Sequence, residues 1–207
     1  MLEIEVKRVP FFLEPDYPED EGFVEPHLDR MARKFIGPTR KFLELSDREK
    51  ASLAKAFERH GLPERGAAVG LEFTRQRLAA NTLQSHRLVR WAGAKSEALY
   101  SVLNRMHHAE GLSLNSRSVL LSAAKEAGLD PEAAARFLAS DEGREEVLAQ
   151  VARVHASGIH SIPTFIVDGT HVVSGAQRSE RFVEIFMSIE KEVLRKRVIS
   201  ESEGANI

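Results

Sequence analysis

The stretch Gly158-Ile159-His160-Ser161-Ile162-Pro163-Thr164-Phe165-Ile166-Val167-Asp168-Gly169-Thr170-His171-Val172-Val173 decides how this chain is read. Thr164 to Val167 is a run of β-branched and aromatic residues, the composition of a buried-type strand. Asp168-Gly169 is a two-residue hairpin turn signal, and His171-Val172-Val173 is the return strand. Gly158 ends the preceding helical pattern, and Pro163 stands directly before the first strand residue, which favours a tight, rigid turn. From residue chemistry alone Pro163 has two readings. It opens an edge or buried strand, where its missing N–H does no harm. Alternatively the Ile162-Pro163 bond is cis, and the main chain of Ile162 is then turned outward, where an extended peptide or glutathione can pair with it as an added strand.

Upstream the pattern is helical over roughly residues 26–157. Spacing predicts a helix from about Pro26 to Phe35, a break at Gly37-Pro38, and resumption through Phe42, Leu43 and Leu45. Ser46 with Glu49 forms a capping box ahead of Leu53, Ala56 and Phe57, and Gly61-Leu62-Pro63 ends that helix. Asn81-Thr82 caps the next, whose apolar face carries Leu83, His86, Leu88, Val89 and Trp91. Leu99, Val102, Leu103 and Met106 continue the helical block. Asn115 caps a segment that Gly128 terminates, Asp130-Pro131 starts another, and Ser140 caps a third that runs to Gly158. Downstream, Ser179 caps a last helix through Phe182, Ile185, Phe186, Ile189 and Val193. Phe35, Phe42, Phe57 and Phe73 are read as core.

At the other end, Leu2, Ile4, Val6 and Val9 alternate with Glu3, Glu5 and Lys7, the period of a strand with one face inward, closed by Pro10. Asp16 to Val24 is a surface loop rich in turn formers and acid. The order is therefore strand, long helical block, hairpin, helix. That order suits an α/β fold with a small sheet and an all-helical insertion. The core is assigned to residues 1–25 and 158–198, the helical insertion to 26–157, and a flexible tail to 199–207.

Composition narrows the function. The 207 residues are 43% apolar, enough for a substantial core. Lys and Arg number 29 against 31 Asp and Glu, a net charge of -2, so nucleic acid is not expected as a partner. No apolar run reaches the ~18 residues of a membrane span, and no export signal is visible, so the expected setting is cytoplasmic, away from membranes. Cys is absent, which excludes disulfides, thiolate metal sites and a cysteine nucleophile within this chain.

The phrase from Gly158 to Gly169, followed by Val173-Ser174-Gly175-Ala176-Gln177, closely resembles the C-terminal part of the DsbA-like family that includes FrnE, itself related to 2-hydroxychromene-2-carboxylate isomerases. Val9-Pro10-Phe11-Phe12-Leu13-Glu14-Pro15 resembles the end of that family's second core strand. Asn81 to Ala92 is similar to its helical insertion, and Leu138-Ala139-Ser140-Asp141-Glu142-Gly143 fits as well. The match runs in order from about Leu2 to Phe186, with extra length around Lys41 to Arg65.

The resemblance implies a thioredoxin-like fold and thiol-disulfide exchange by a C-x-x-C at the start of the first core helix. Here the family's first strand, dithiol and helix have no counterpart, because they precede the segment that begins at Met1. That first strand lies inside the sheet, between the second strand and the strand after the cis-proline. Without it, Leu2 to Phe12 is expected either to pair with the Thr164 strand or to stay poorly supported with apolar side chains exposed. No catalytic residue is assigned. The expected substrate-binding residues are Ser161, Ile162 and Pro163, with Asn81 and His86 from the insertion, and the expected ligand is an extended peptide or a glutathione-like thiol. A glutathione-binding isomerase or kappa-type transferase and a non-catalytic peptide-binding module are the alternatives, and the Ser174-Gly175-Ala176-Gln177 run speaks against the first.

His107-His108 beside Glu110 suggests a metal at first sight. Adjacent helix positions point about 100° apart, so the two rings are read as a solvated or half-buried pair. Neither a metal nor a cofactor is expected, and nothing in the sequence sets an oligomeric state. Arg195-Lys196-Arg197 is read as cations favoured by a helix C-terminus.

Overall fold

The computed structural model describes residues 3–60 and 62–204, without the side chains of 56–60, 62 and 196–204. It divides into two compact units, residues 14–149 and residues 1–13 with 150–207.

The 14–149 unit is helical with one short ribbon. In chain order it contains β1 (Glu25–Pro26), α1 (His27–Phe35), a 3-10 turn at Phe42–Glu44, α2 (Asp47–His60), α3 (Leu62–Ala67) and β2 (Leu78–Ala79). It goes on through α4 (Leu83–Trp91), α5 (Ser96–His108), α6 (Arg117–Glu126), α7 (Pro131–Leu138) and the start of α8 (Arg144–Ala156). β1 and β2 pair antiparallel, Glu25 opposite Ala79, a ribbon absent from the helical expectation for 26–157.

The main core forms where helical spacing repeats apolar side chains. On α5, Leu99, Leu103 and Met106 fall at i, i+4 and i+7 and are buried against Leu88, Leu120, Ala123, Ala124, Ala134 and Phe137. Each large side chain so buried stabilises the unit by about 1.5–3 kcal/mol relative to exposure. Trp91 of α4 stacks on Phe137 of α7, centroids 5.3 Å apart and rings 20° from parallel. A second small core holds Ala32, Leu45 and Leu53, with Phe42 packed beside it.

Local signals act as their chemistry demands. Ser46 N–H donates to Glu49 Oε2 at 2.8 Å, one half of the capping box. Asp130 Oδ1 accepts from Glu132 N–H at 3.0 Å, with Pro131 at the first helical position. Gly128 ends α6 at φ 77°.

Several expectations are corrected. Residues 3–12 form no strand; Ile4, Val6 and Val9 are 60%, 68% and 56% exposed, and Leu2 lies outside the described residues. Alternation alone supplies no ladder partner. Phe35 is not core but 61% exposed, whereas Phe42 and Phe73 are half-buried and the Phe57 side chain lies outside the described residues. Asn115 does not cap α6, whose N-cap is Ser116. Its buried amide donates instead to the carbonyls of Asp20 and Phe23 at 3.0 and 3.1 Å. Ser140 closes a turn onto Glu142 N–H, and α8 starts only at Arg144.

The other unit carries the second part of α8, then β3 (Thr164–Val167), β4 (His171–Ser174) and α9 (Ser179–Gly204). Helix α9 continues through residues expected as tail, so Arg195-Lys196-Arg197 lie inside it and not at its end; Ala205 to Ile207 fall outside the described residues.

Candidate functional site

The β3–β4 hairpin is antiparallel, with Thr164 opposite Ser174 and Val167 opposite His171. Three residues, Asp168 to Thr170, join the strands; Thr170 N–H donates to the Val167 carbonyl at 3.3 Å, and Asp168 and Gly169 both have positive φ, 50° and 69°, the turn backbone that matches the strands' twist. Pleating then sorts side chains by face. Phe165, Val167 and Val173 lie towards α9, where Val173, Ile185 and Ile189 form a buried core and Phe165 meets Phe182 edge-on at 5.0 Å. Ile166 and Val172 fall on the opposite face, directly opposite one another, and are 55% and 65% exposed.

Just before β3 the Ile162-Pro163 peptide bond is cis. Two hydrogen bonds hold the turn: Thr164 Oγ1 donates to the Ser161 carbonyl at 2.8 Å, and Gly175 N–H donates to the Pro163 carbonyl at 2.8 Å. Ile162 itself is 47% exposed, and its N–H and C=O have no backbone partner among the described residues. Among those residues β3 pairs only with β4, so its other edge is open. An open edge beside a main-chain donor and acceptor that lack a backbone partner can accept one more strand.

A row of rings borders this turn in the same unit, and sequence reasoning missed it. Phe11 packs on His155 with centroids 5.3 Å apart, and His155 stacks on His160 at 5.7 Å and 25°. The five-residue spacing of the two histidines across Gly158 was its only sequence signal.

Asn81 and His86 belong to the 14–149 unit. Asn81 is buried, and both ends of its amide are engaged: Oδ1 accepts from Leu83 N–H at 2.9 Å and Nδ2 donates to the Tyr17 carbonyl at 2.8 Å. Thr82 holds the N-cap position of α4 without a side-chain bond, and Asn81, one residue before it, supplies the acceptor for the first N–H of the helix. His86 is half-buried on α4. Among the described residues no cluster of three or more His, Asp or Glu could hold a metal ion.

Residues 4–186 match the family model of the DSBA-like thioredoxin domain. The chain belongs to that family. Its fold is the DsbA-like thioredoxin fold in a helix-rich form with few strands. The crystal structure of a probable DsbA oxidoreductase from Streptomyces coelicolor is similar to it, at 29% identity and a TM-score of 0.71, covering 87% of this chain and 73% of the other. No curated protein matches the chain. This DsbA-like chain contains no Cys. Among the described residues no helix is long and apolar enough to cross a membrane.

Proposed function

We propose that this chain is a FrnE-type member of the DsbA-like family that binds an extended peptide or a glutathione-like thiol along the main chain of Ile162. Without a sulfur nucleophile it performs no thiol-disulfide exchange by itself. The observation that carries this reading is the open edge of β3 beside the unpaired main chain of Ile162. Ser161, Ile162 and Pro163 form the ledge; Asn81 and His86 are assigned to the cleft on the family resemblance alone. The same resemblance supports a core of residues 1–25 and 158–198 around the 26–157 insertion; a cytoplasmic setting is part of the proposal, and fractionation of cells would test it.

We further propose that the family's first strand and C-x-x-C helix have their place beside β3. Two surfaces support this: the exposed Ile4, Val6 and Val9, which lack a strand partner, and the exposed Ile166 and Val172 face. A non-catalytic peptide-binding module is the second reading, favoured by the absence of Cys.

The test is insulin reduction by dithiothreitol, with the 207-residue chain and with a fusion carrying a strand, C-x-x-C and helix ahead of Met1. The chain alone is expected to match the blank, and the fusion to accelerate turnover and protect the amides of residues 3–9 from exchange. Turnover by the chain alone refutes the redox-inactive reading. A fusion that stays inactive and unprotected, while the chain binds an extended peptide, leaves the binding module standing.

A further inference from the structure

Arg77 sits where three distant segments of the 14–149 unit meet. Its carbonyl accepts from His27 N–H at 2.8 Å, at the start of α1. Its guanidinium forks, with Nη1 2.9 Å from His108 Nδ1 on α5 and Nη2 3.0 Å from His27 Nε2. The segment bearing Arg77 is itself laid on the end of α5. Thr74 N–H donates to the His108 carbonyl at 2.7 Å, and Leu78 N–H to the Gly111 carbonyl at 3.3 Å. Gly111 is required for this approach: it has φ 79°, and a Cβ there would lie 2.9 Å from the Gln76 carbonyl oxygen.

Arg has only donors, so both imidazole nitrogens facing it must be acceptors. His27 therefore carries its proton on Nδ1 and His108 on Nε2, and both rings must be neutral for the fork to exist. A proton on either accepting nitrogen removes the acceptor and sets an imidazolium against a guanidinium. The other charged or titratable groups acting on these rings are Arg30 of α1 and His107 of α5. Arg30 is held by Glu14, and His107 Nδ1 donates to the Leu112 carbonyl at 3.0 Å. Phe73 covers His108 edge-on at 5.5 Å.

We propose that His27, Arg77 and His108 form an acid-released latch, which joins α1 and the segment leading into β2 to the end of α5 at neutral pH and lets go on protonation. Burial, followed by the neighbouring positive charge, pushes both histidines down to about 4. The sign follows. Above the ordinary value of 6.5 both states are neutral and pH has no effect through these groups. Below it the unfolded chain takes up protons that the folded latch refuses, so stability falls as pH drops towards 4. The full gap between 6.5 and 4 corresponds to ~300-fold in the unfolding constant per ring, and partial solvent screening reduces this to roughly tenfold or more.

The experiment is urea unfolding of the full chain at pH 7 and pH 4.5, with nitrogen-15 spectra of the imidazoles. His27→Gln and His108→Asn place an uncharged acceptor where Nε2 and Nδ1 now lie. The double variant is expected to lose most of the wild-type increase in unfolding constant between the two pH values. An undiminished increase overturns the latch. If the double variant does not fold, the wild-type spectra decide. Midpoints below pH 5 with the stated tautomers support the latch, and a midpoint near the ordinary histidine value for either ring overturns it.

Discussion

Replacing Arg87 by Met keeps the apolar stem as far as the Nε position and removes the charged guanidinium with all its donors from the interior of the 14–149 unit. Arg87 lies on α4 and is 2% exposed. Its Nε donates to the Glu142 carbonyl at 2.9 Å, and Nη2 reaches the carbonyls of Glu142 at 2.7 Å and Ser140 at 2.5 Å. Nη1 donates to Gln84 Oε1 at 2.5 Å, and the guanidinium carbon stands 5.0 Å from the centre of the Phe137 ring. One side chain thus satisfies the carbonyls that follow the C-terminus of α7, where a cation is also favoured by the helix dipole.

Losing a charged donor costs about 1–3 kcal/mol for each of the two carbonyls at short range. The cation over Phe137 adds about 0.5–1 kcal/mol. Arg87→Met also relieves the cost of burying the guanidinium, the same burial that lowers its pKa, and so offsets part of this loss. The expected net destabilisation is about 3–4 kcal/mol, a large share of a typical ~5–15 kcal/mol. Arg87→Lys, which reaches only one carbonyl, is expected to cost about 2 kcal/mol. Trp91 is the chain's one Trp and stacks on Phe137, so its fluorescence reports this region during urea unfolding. A midpoint shift worth less than ~1 kcal/mol at unchanged slope for Arg87→Met would refute the assignment of these bonds as a structural tie.

Three further outcomes are expected. Asn81→Ala should destabilise the chain by about 1–2 kcal/mol in a thermal or urea melt, since Leu83 N–H and the Tyr17 carbonyl each lose a partner. Glu14→Gln should cost about 1 kcal/mol at neutral pH. Burial works to raise the Glu14 carboxyl, but the hydrogen bond from Lys34, the charge of Arg30 and the bonds from Arg30 and Arg33 outweigh it and hold the group below the ordinary carboxylate value. Its stabilisation is present above that ordinary value and lost as pH falls through the depressed one, so melts of variant and wild type should converge in acid. Ile166→Thr with Val172→Thr should leave the melting temperature within a degree or two, because both side chains are exposed, while reducing binding of a hydrophobic dye.

What the sequence disclosed was whatever a few neighbouring residues decide. Asp168-Gly169 fixed the hairpin because positive φ is demanded at both positions, and Asp130-Pro131 and Gly128 marked helix ends for equally local reasons. What stayed hidden depends on residues far apart in the chain. Arg87 reads as part of a polar helix face, and only the fold brings the 140–142 carbonyls to it. Glu21 supplies the carboxylate that accepts the first N–H of α6, from Arg117 at 2.6 Å, and no capping pattern spans that distance. His107-His108 drew notice as a metal candidate, yet the partner of His108 is an arginine 31 positions upstream. The turn before β3 was legible because Ile162, Pro163 and the strand after them are contiguous. The ring row beside it was not, since Phe11 comes from the opposite end of the chain.

The composition of β3 also separates the two ways in which its edge could be covered. Edges that meet partners only transiently carry lysine, an internal proline, a bulge or an inward charge, because otherwise they pair with whatever strand arrives. Thr164-Phe165-Ile166-Val167 has none of these, and Pro163 precedes the strand without interrupting it. Ile166 and Val172 add an apolar strip on the face that α9 does not cover. A transient peptide would occupy the edge but leave that strip in water. A strand followed by a helix would cover edge and strip together, and the apolar positions of residues 3–9 would gain a neighbour at the same time. Of the two surfaces only the edge is explained by a binding module alone, so the uncovered face is the observation that supports the proposed place for a further strand and helix beside β3.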